Sequence, residues 1–408
     1  MNREALVLGV GATPFGRHLD RTAGDLAGLA AHEALRDAGL SPADVGAVFH
    51  ATVSQKAIDG QHMIPGQVAL RPHGFAGVPV VNVENACAGG ATALWLAIAH
   101  VRAGLSDVAL AVGVDKLVCA DPAQGLAVFD GAMDVANREP TLAALAALSG
   151  PLPPELAVDG DRSVFMEIYA SLARAHMQRF ATTEAHLAAV AAKNHAHSVH
   201  NPRAHFRRPF TAEEVLAARR VAWPLTVPMC SPVSDGAAAV VVTRADFPHD
   251  DSAVAVLGSV LLSGTDRAPD DAEQHIGRCA ALAAYEKAGL GPRDVDVAEV
   301  HDATAFGEIQ QVENLGFCPI GDGGPWSASG ASALGGTLPV NPSGGLESRG
   351  HPVSATGLAQ IFELVTQLRG RAGGRQVPGA RIAVAENGGG LYGIEEAVAA
   401  VTILGRSR

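Results

Sequence analysis

The hydrophobic pattern of the chain changes period repeatedly, which predicts strands followed by helices. In VENACAGGATALWLAIAHVRAG (83–104) a β-branched stretch gives way to a long apolar helical stretch, with Cys87 at the change. Further strand-like stretches occur at 107–115, 234–247 and 380–390. Such a pattern, divided by short turns, is typical of an α/β protein.

The pattern also occurs twice along the chain. AAHEALRDAGLSPADVGAVFHAT (30–52) is repeated as AALAAYEKAGLGPRDVDVAEVHDAT (280–304), each a helix closed by AGL, a proline turn and a strand. In the same order, CAGGATALWLAIAHVRAG from Cys87 is repeated as HPVSATGLAQIFELVTQLRG from His351, aligned on a shared Ala-Thr pair. We therefore predict two similar halves about a pseudo-twofold axis, which brings Cys87 and His351 together.

The repeats divide the chain into three predicted parts. An N-terminal half spans 1–118 and is completed by 223–249, and a C-terminal half spans 250–408. The segment 119–222 has no counterpart; it contains the helical stretch TLAALAAL, a Pro/Gly break, and a long helical run from FMEIYASL to AHSVH. An insertion of this length predicts a binding lid or substrate pocket.

Composition excludes several classes of function. The chain has 408 residues, 48% of them hydrophobic and 18% charged, and a formal net charge of −12, so nucleic acid or an anionic membrane is not expected as its main partner. Its five cysteines are widely spaced without a CxxC pair, which argues against a disulfide framework or a zinc ribbon and favours a cytoplasmic setting. No apolar run approaches the roughly 18 residues of a membrane span, and the N-terminus lacks a signal peptide pattern.

Three residues are candidates for chemistry. Cys87 at a helix start is expected to be favoured as thiolate by the helix dipole, whereas the alternative is a small buried side chain. The equivalent position of His351 favours a nucleophile with a general base. His301 follows a strand and is predicted to donate a hydrogen bond to an enolate or oxyanion; the alternative is a structural histidine paired with Asp302.

The turn AENGGGLYG (385–393) is a further candidate, because glycine amides at a strand end can complete an oxyanion hole. The roles of Glu386 and Asn387 within it stay open, since a tight structural turn would use the same residues.

Two clusters of basic residues need separate interpretations. Arg203, Arg207 and Arg208 form a cationic patch for a phosphate-bearing ligand, with a solvated surface loop as the equal alternative. The histidines of NHAHSVHNPRAH (194–205) lie on different helix faces without a carboxylate or thiol to complete a set, so we predict no metal site.

Taken together, the motifs resemble the thiolase superfamily nearly from end to end, and the His-Asp pair at 301–302 resembles its sterol-carrier-protein type. The motifs are GVGATPFGR, ENACAGG, NPRAHFRRPFTAEEV, PMCSPVSDGAAAVVV, HDAT, NPSGGLESRGHPVSATG and a terminal GGG. The resemblance implies a five-layered α-β-α-β-α fold, an inserted loop domain that grips coenzyme A, and a homodimer or homotetramer. Coenzyme A and acyl-CoA would be substrates, with no permanently bound cofactor.

The resemblance also implies roles for single residues. Cys87 would be acylated by an acyl-CoA after losing its proton to His351, and His301 would hold the thioester oxygen where the enolate forms. The amides of Cys87 and Gly388 would form the oxyanion hole. The leading hypothesis is therefore a CoA-dependent acyltransferase that makes or cleaves a 3-oxoacyl-CoA.

One feature departs from the family pattern. Thiolases use a second acid/base, generally a cysteine, where this chain has Glu386 or, in the sterol-carrier type, Ala303. Glu386 can be the replacement base if burial raises its pKa. Alternatively the Cys-His-His set serves a decarboxylative or heteroatom-directed acyltransferase, or the chain is a non-catalytic acyl-CoA-binding subunit that works with a small acyl-CoA-binding partner.

Overall fold

The computed structural model describes residues 4–158 and 162–406. The strands are β1 (Ala5–Ala12), β2 (Ala47–Ala51), β3 (Val80–Val83), β4 (Val108–Asp115), β5 (Arg220–Ala222), β6 (Leu225–Thr226), β7 (Gly236–Arg244), β8 (Val254–Ser263), β9 (Val297–Glu299), β10 (Ile382–Gly389) and β11 (Val398–Arg406). The helices are α1 (Ala23–Asp37), α2 (Ser54–Ile58), α3 (Pro65–Leu70), α4 (Gly89–Arg102), α5 (Pro122–Ala127), α6 (Arg138–Ser149), α7 (Val164–Arg179), α8 (Glu184–Ser198), α9 (Ala212–Ala217), α10 (Ile276–Ala288), α11 (Ala305–Asn314), α12 (Gly323–Ala328), α13 (Gly345–Arg349) and α14 (Thr356–Leu368).

The main sheet consists of two matching half-sheets. Its strand order is β3-β2-β4-β7-β1-β8-β11-β10-β9, and the halves join where β1 and β8 pair over a short antiparallel stretch. Outward from this junction the two sides correspond, β7 to β11, β4 to β10 and β2 to β9. The directions also correspond, because β2–β4 and β9–β10 are parallel whereas the inner pairs are antiparallel. The predicted duplication is confirmed.

The helices complete five layers. The equivalent helices α4 and α14 pack against each other between the half-sheets and share one core with both. Helix α1 covers the outer face of the N-terminal half-sheet, and α10 covers that of the C-terminal half-sheet. Strands covered on both faces read as continuous apolar runs, and both β1 and β4 are buried at every position. The expected α-β-α-β-α arrangement is therefore confirmed.

Small residues allow the starts of the two central helices to approach closely. A Cβ atom on Gly90 would lie 2.3 Å from the carbonyl oxygen of Ser354, and one on Gly113 of β4 would lie 2.1 Å from the same atom. A side chain at Gly90 would force the start of α4 away from the turn before α14, and one at Gly113 would force β4 away from the same turn. Glycine here brings the two equivalent helix starts to one site.

The chain between β4 and β7 forms helices α5 to α9 and the β5–β6 hairpin, and it packs against α11 and Leu391 of the C-terminal half in two small cores. The long helical run is divided into α7 and α8, because Thr183 turns the chain and caps α8 with its side chain. The boundaries at 119 and 222 stay a prediction. Within the two described ranges, no helix is long and apolar enough to cross a bilayer.

Candidate active site

The structure brings Cys87, His301 and His351 together between the half-sheets. Cys87 lies in a single 3-10 turn (Ala86–Ala88) just before α4, His351 lies just before the turn that begins α14, and His301 follows β9. The Cys87 sulfur and one ring nitrogen of each histidine lie within 4.8 Å of one another. The two imidazole rings stand edge to face, with centroids 5.2 Å apart.

The environment of Cys87 corrects one expectation. Ala86 adopts a left-handed conformation (φ 46°), which turns the chain sharply, and the backbone amides of Gly390 and Cys87 act to lower the pKa of the thiol. Burial nevertheless raises the pKa of the Cys87 thiol to about 12, because loss of solvation outweighs both amides. A helix start alone therefore does not make this thiol a thiolate, and its proton must leave to a base in contact with it.

His351 is held as a neutral proton acceptor. Its Nδ1 lies 2.7 Å from Thr356 Oγ1, and we assign the hydroxyl hydrogen of Thr356 to the carbonyl oxygen of Pro352, which lies 3.2 Å away. The hydroxyl can accept from His351 only if Nδ1 carries the hydrogen, so Nε2 keeps a free lone pair. Burial, with smaller effects from His301 and Arg349, holds the pKa of His351 well below its usual value.

His301 is held in the opposite tautomer. Asn387 Nδ2 lies 2.8 Å from His301 Nδ1 and 3.4 Å from the carbonyl oxygen of Gly388, and because that carbonyl can only accept, we assign the amide nitrogen to the end that faces both groups. Nδ1 therefore accepts, and Nε2 carries a hydrogen that it can donate. Burial, followed by the Arg349 charge, lowers the pKa of His301 to about 3. The pair thus offers one acceptor and one donor at neutral pH.

The carboxylates next to His301 have other partners. Asp302 accepts from the amide of Leu346 at 2.8 Å, so the partner of the His301 ring is Asn387 rather than Asp302. Glu386 is fully buried, and its Oε2 accepts from the backbone amide of His301 at 3.0 Å. Burial, followed by the Glu396 charge, raises the pKa of Glu386 well above its usual value. Glu386 therefore lies behind His301 and supports it.

A cavity of about 760 Å³ opens over the three central residues. The segment between β4 and β7 supplies much of its apolar wall, including Leu126, Phe129, Met133, Phe165 and Met166. Polar and charged members of the wall include Lys56, Glu84, Asp134, Arg162, Tyr169, Arg219, Cys230 and Glu396. The chamber therefore combines an apolar pocket with a few polar groups, as ligand sites commonly do.

The predicted arginine patch lies elsewhere. Arg203 Nη2 lies 2.5 Å from Glu33 Oε1, and its guanidinium covers the ring of Phe362. Arg208 faces Glu214 at 3.6 Å.

Arg207 donates to the carbonyl oxygen of Val199, so all three arginines have partners within the fold. The cations at the cavity are instead Lys56, Arg162 and Arg219, and Arg162 pairs with Glu167. The sequence had no motif that singled these residues out.

The histidines of segment 194–205 have separate partners. His195 contacts the carbonyl oxygen of Pro228 and the hydroxyl of Ser348, and His197 contacts the carbonyl oxygen of Asn341. In the described part of the chain, the donor set close enough to hold a metal ion consists of Cys87, His301 and His351. The absence of a metal stays a prediction.

Comparison with known proteins agrees with this architecture. The family model "Thiolase, N-terminal domain" matches residues 5–221, and "Thiolase C-terminal domain-like" matches residues 265–406. An acetyl-CoA acetyltransferase of Methanothermobacter thermautotrophicus is 38% identical over 99% of this chain and 100% of its own. Sterol carrier protein 2 of Gallus gallus is 36% identical over 95% of this chain and 70% of its own.

A solved structure supports the fold independently. The "Ltp2-ChsH2(DUF35) aldolase" has a TM-score of 0.77 at 24% identity, covering 99% of this chain and 98% of its own, which speaks for the fold alone. The family models and the relatives together define the class. The chain belongs to the thiolase family and is an acyltransferase of that type.

Proposed function

We propose that the protein forms or cleaves 3-oxoacyl-CoA thioesters through an acyl group carried on Cys87. The observation that carries the proposal is the opposite tautomers of His351 and His301 beside the Cys87 sulfur. One imidazole can take the thiol proton while the other donates to the substrate oxygen. Coenzyme A thioesters are accordingly the expected substrates.

The first half-reaction follows from these positions. His351 Nε2 removes the Cys87 proton as the sulfur attacks the thioester carbonyl carbon, which matches a thiol too buried to ionise alone. The carbon–sulfur bond to coenzyme A breaks, and the leaving thiolate takes the proton back from His351. We place the oxyanion at the amides of Cys87 and Gly390, since both favour negative charge on the Cys87 side chain. The Gly388 amide inferred from the resemblance stays a prediction.

Substrate selection rests on the chamber. An apolar wall suits an acyl chain, and we propose that Lys56 and Arg219 at the cavity, rather than the arginine patch, meet the phosphates of coenzyme A. Homodimer or homotetramer assembly, a small acyl-CoA-binding partner and a cytoplasmic location stay predictions.

The test is acylation itself. Wild type incubated with a panel of short and medium acyl-CoA thioesters should gain one acyl mass, and Cys87→Ala should gain none. Cys279→Ala, a matched loss of a thiol on α10, should be acylated as wild type is. An adduct that persists in Cys87→Ala, or a wild type that stays blank across the panel with and without a metal chelator, would refute the proposal.

A decarboxylative acyltransferase is the second candidate, favoured by the convergence of one thiol and two imidazoles. There the loss of carbon dioxide creates the carbon nucleophile, and no second base is needed. Turnover with malonyl-CoA but no cleavage of a 3-oxoacyl-CoA by coenzyme A would select this candidate.

A further inference from the structure

We propose that Glu396 is the acid/base that moves the α-proton of the second acyl-CoA. The proposal rests on the function proposed above, in which an acyl-Cys87 meets a carbon nucleophile. It assigns the step for which the family cysteine is missing to a glutamate in the turn between β10 and β11.

The position of Glu396 is the first support. Its side chain lines the same cavity as Cys87, His301 and His351, and it is 13% exposed. It lies over Gly388, where an added Cβ would come within 2.8 Å of its Cγ and 3.3 Å of its Oε1. The carboxylate thus occupies the space above the strand end that leads to Gly390, which lines the same cavity as Cys87.

The hydrogen bonds around Glu396 are the second support. Gln311 Nε2 donates to Oε1 at 3.0 Å, and His275 Nε2 lies 3.4 Å from Oε2. His275 Nδ1 accepts from Gly277 and Asn314, both at 3.1 Å, so its hydrogen sits on Nε2 facing Glu396. The 3.4 Å contact with His275 does not form a hydrogen bond, so among the described residues the buried Oε2 has no hydrogen-bonded partner, and uptake of a proton by the carboxylate would remove an uncompensated buried charge.

The neighbouring glutamate explains why Glu396 faces the cavity. Glu395 Oε1 accepts from the Thr265 amide at 2.8 Å, and its Oε2 accepts from Arg267 Nε at 2.5 Å. These bonds anchor the turn to the segment after β8. With Glu395 held on the inner side, the adjacent side chain is directed toward the chamber.

The proposed step balances as follows. Glu396 takes the α-proton, and the electron pair of the C–H bond passes into an enolate whose oxygen accepts from His301 Nε2–H. The α-carbon attacks the acyl carbonyl carbon, the bond to the Cys87 sulfur breaks, and the thiolate leaves. The proton on Glu396 then returns to that sulfur. Thiolysis runs the same sequence in reverse, with Glu396 giving the proton to carbon.

The experiment separates proton transfer from acylation. Exchange of the α-hydrogens of acetyl-CoA in deuterium oxide is followed by mass spectrometry, and acylation of Cys87 by intact mass. We expect Glu396→Gln to slow exchange and thiolysis by about 10² to 10⁴ while acylation stays within about threefold of wild type. Glu396→Asp, which keeps a shortened carboxylate, should recover part of the exchange.

Two matched variants complete the design. Glu214→Gln changes an exposed carboxylate outside the cavity and should leave exchange and acylation as in wild type, whereas Glu386→Gln tests whether the buried carboxylate behind His301 is the base instead. Wild-type exchange in a folded Glu396→Gln, or loss of exchange in Glu386→Gln instead, would overturn the proposal. If the wild-type protein never gains an acyl group on Cys87, the function proposed above is refuted. That outcome is measured separately, by the intact mass of the protein.

Discussion

The starts of α4 and α14 at the site each contain a threonine, but the two threonines have different hydrogen-bond partners. Thr92 and Thr356 occupy equivalent positions in the repeat, and each donates its hydroxyl hydrogen to the carbonyl oxygen four residues earlier, at 2.9 and 3.2 Å. The oxygen of Thr92 accepts from Asn85 Nδ2 at 3.0 Å, whereas that of Thr356 accepts from His351 Nδ1.

The difference teaches how a duplicated frame acquires two functions. The backbone bond of the threonine is common to both halves and belongs to the frame. The remaining acceptor site of Thr92 stabilises the turn that holds the proposed nucleophile, and that of Thr356 favours one tautomer of the proposed base. A change at Thr92, in the N-terminal half, should therefore affect the stability of the protein, whereas a change at Thr356, in the C-terminal half, should affect the reaction rate.

Removing the imidazole should have the largest effect. His351→Asn retains a side chain that can donate to Thr356, but it removes the acceptor for a thiol whose pKa burial raises to about 12. We expect single-turnover acylation to slow by about 10³ or more. Exposed His200→Asn is the control, and a His351→Asn rate within about threefold of wild type would contradict the assignment of the base.

Reversing the other tautomer should have the next largest effect. In Asn387→Asp an ionised carboxylate accepts from His301 Nδ1–H, which leaves Nε2 of the neutral ring without a hydrogen. We expect the rate of thiolysis at pH 8 to fall by about 10². A protonated carboxyl donates to Nδ1, so activity should recover as pH falls and drop as pH rises through the pKa of the new group. Steady-state thiolysis across pH measures this. Asn387→Ala should show no such dependence, and a flat Asn387→Asp profile would contradict the tautomer.

Removing the hydrogen bond that orients His351 should lower the acylation rate less than the two changes above. Thr356→Val removes the acceptor of His351 Nδ1 and frees the ring to adopt either tautomer, so we expect acylation to slow by about tenfold with little change in KM. Thr356→Ser restores the hydroxyl and should restore the rate. Failure of serine to rescue would show that the methyl group, through packing, is what matters.

The mirrored change should have the smallest catalytic effect. Thr92→Val removes the bonds to the helix carbonyl and to Asn85, so the free energy of unfolding should fall by about 1 kcal/mol, measured in urea. Acylation should stay within about threefold of wild type. An acylation loss as large as that of Thr356→Val would erase the distinction between the two halves.

Much of the framework could be predicted from local patterns. The AGL motifs at the ends of α1 and α10 place Gly39 and Gly289 in the left-handed conformation, as the sequence predicts, because a glycine after a helix adopts this conformation without strain. The shared Ala-Thr pair was visible too, but nothing local distinguishes the partner of Thr92 from that of Thr356. The break between α7 and α8 was not predicted, because the hydrophobic patterns of the two helices follow each other closely and a single capping threonine between them does not interrupt the pattern visibly.

The site was harder to predict where it depends on burial. The expectation of a thiolate at Cys87 counted the helix dipole and omitted desolvation, which the fold decides. The interest in Glu386 followed its place in the glycine turn, but strand β10 turns that carboxylate behind His301. Glu396 belongs to neither repeat nor motif, and only the shape of the β10–β11 turn places it at the cavity.

The sequence by itself determined the duplicated α/β frame and the equivalence of Cys87 and His351, because periodicity and repeats are properties of neighbouring residues. Only the tertiary structure decided which lone pairs and hydrogens face the chamber. The tautomer of His301 is set by Asn387, 86 residues away, and a ring nitrogen has no sequence signal of its own. Hydrogen-bond direction depends on which groups burial brings into contact, and that follows from the packing of both halves.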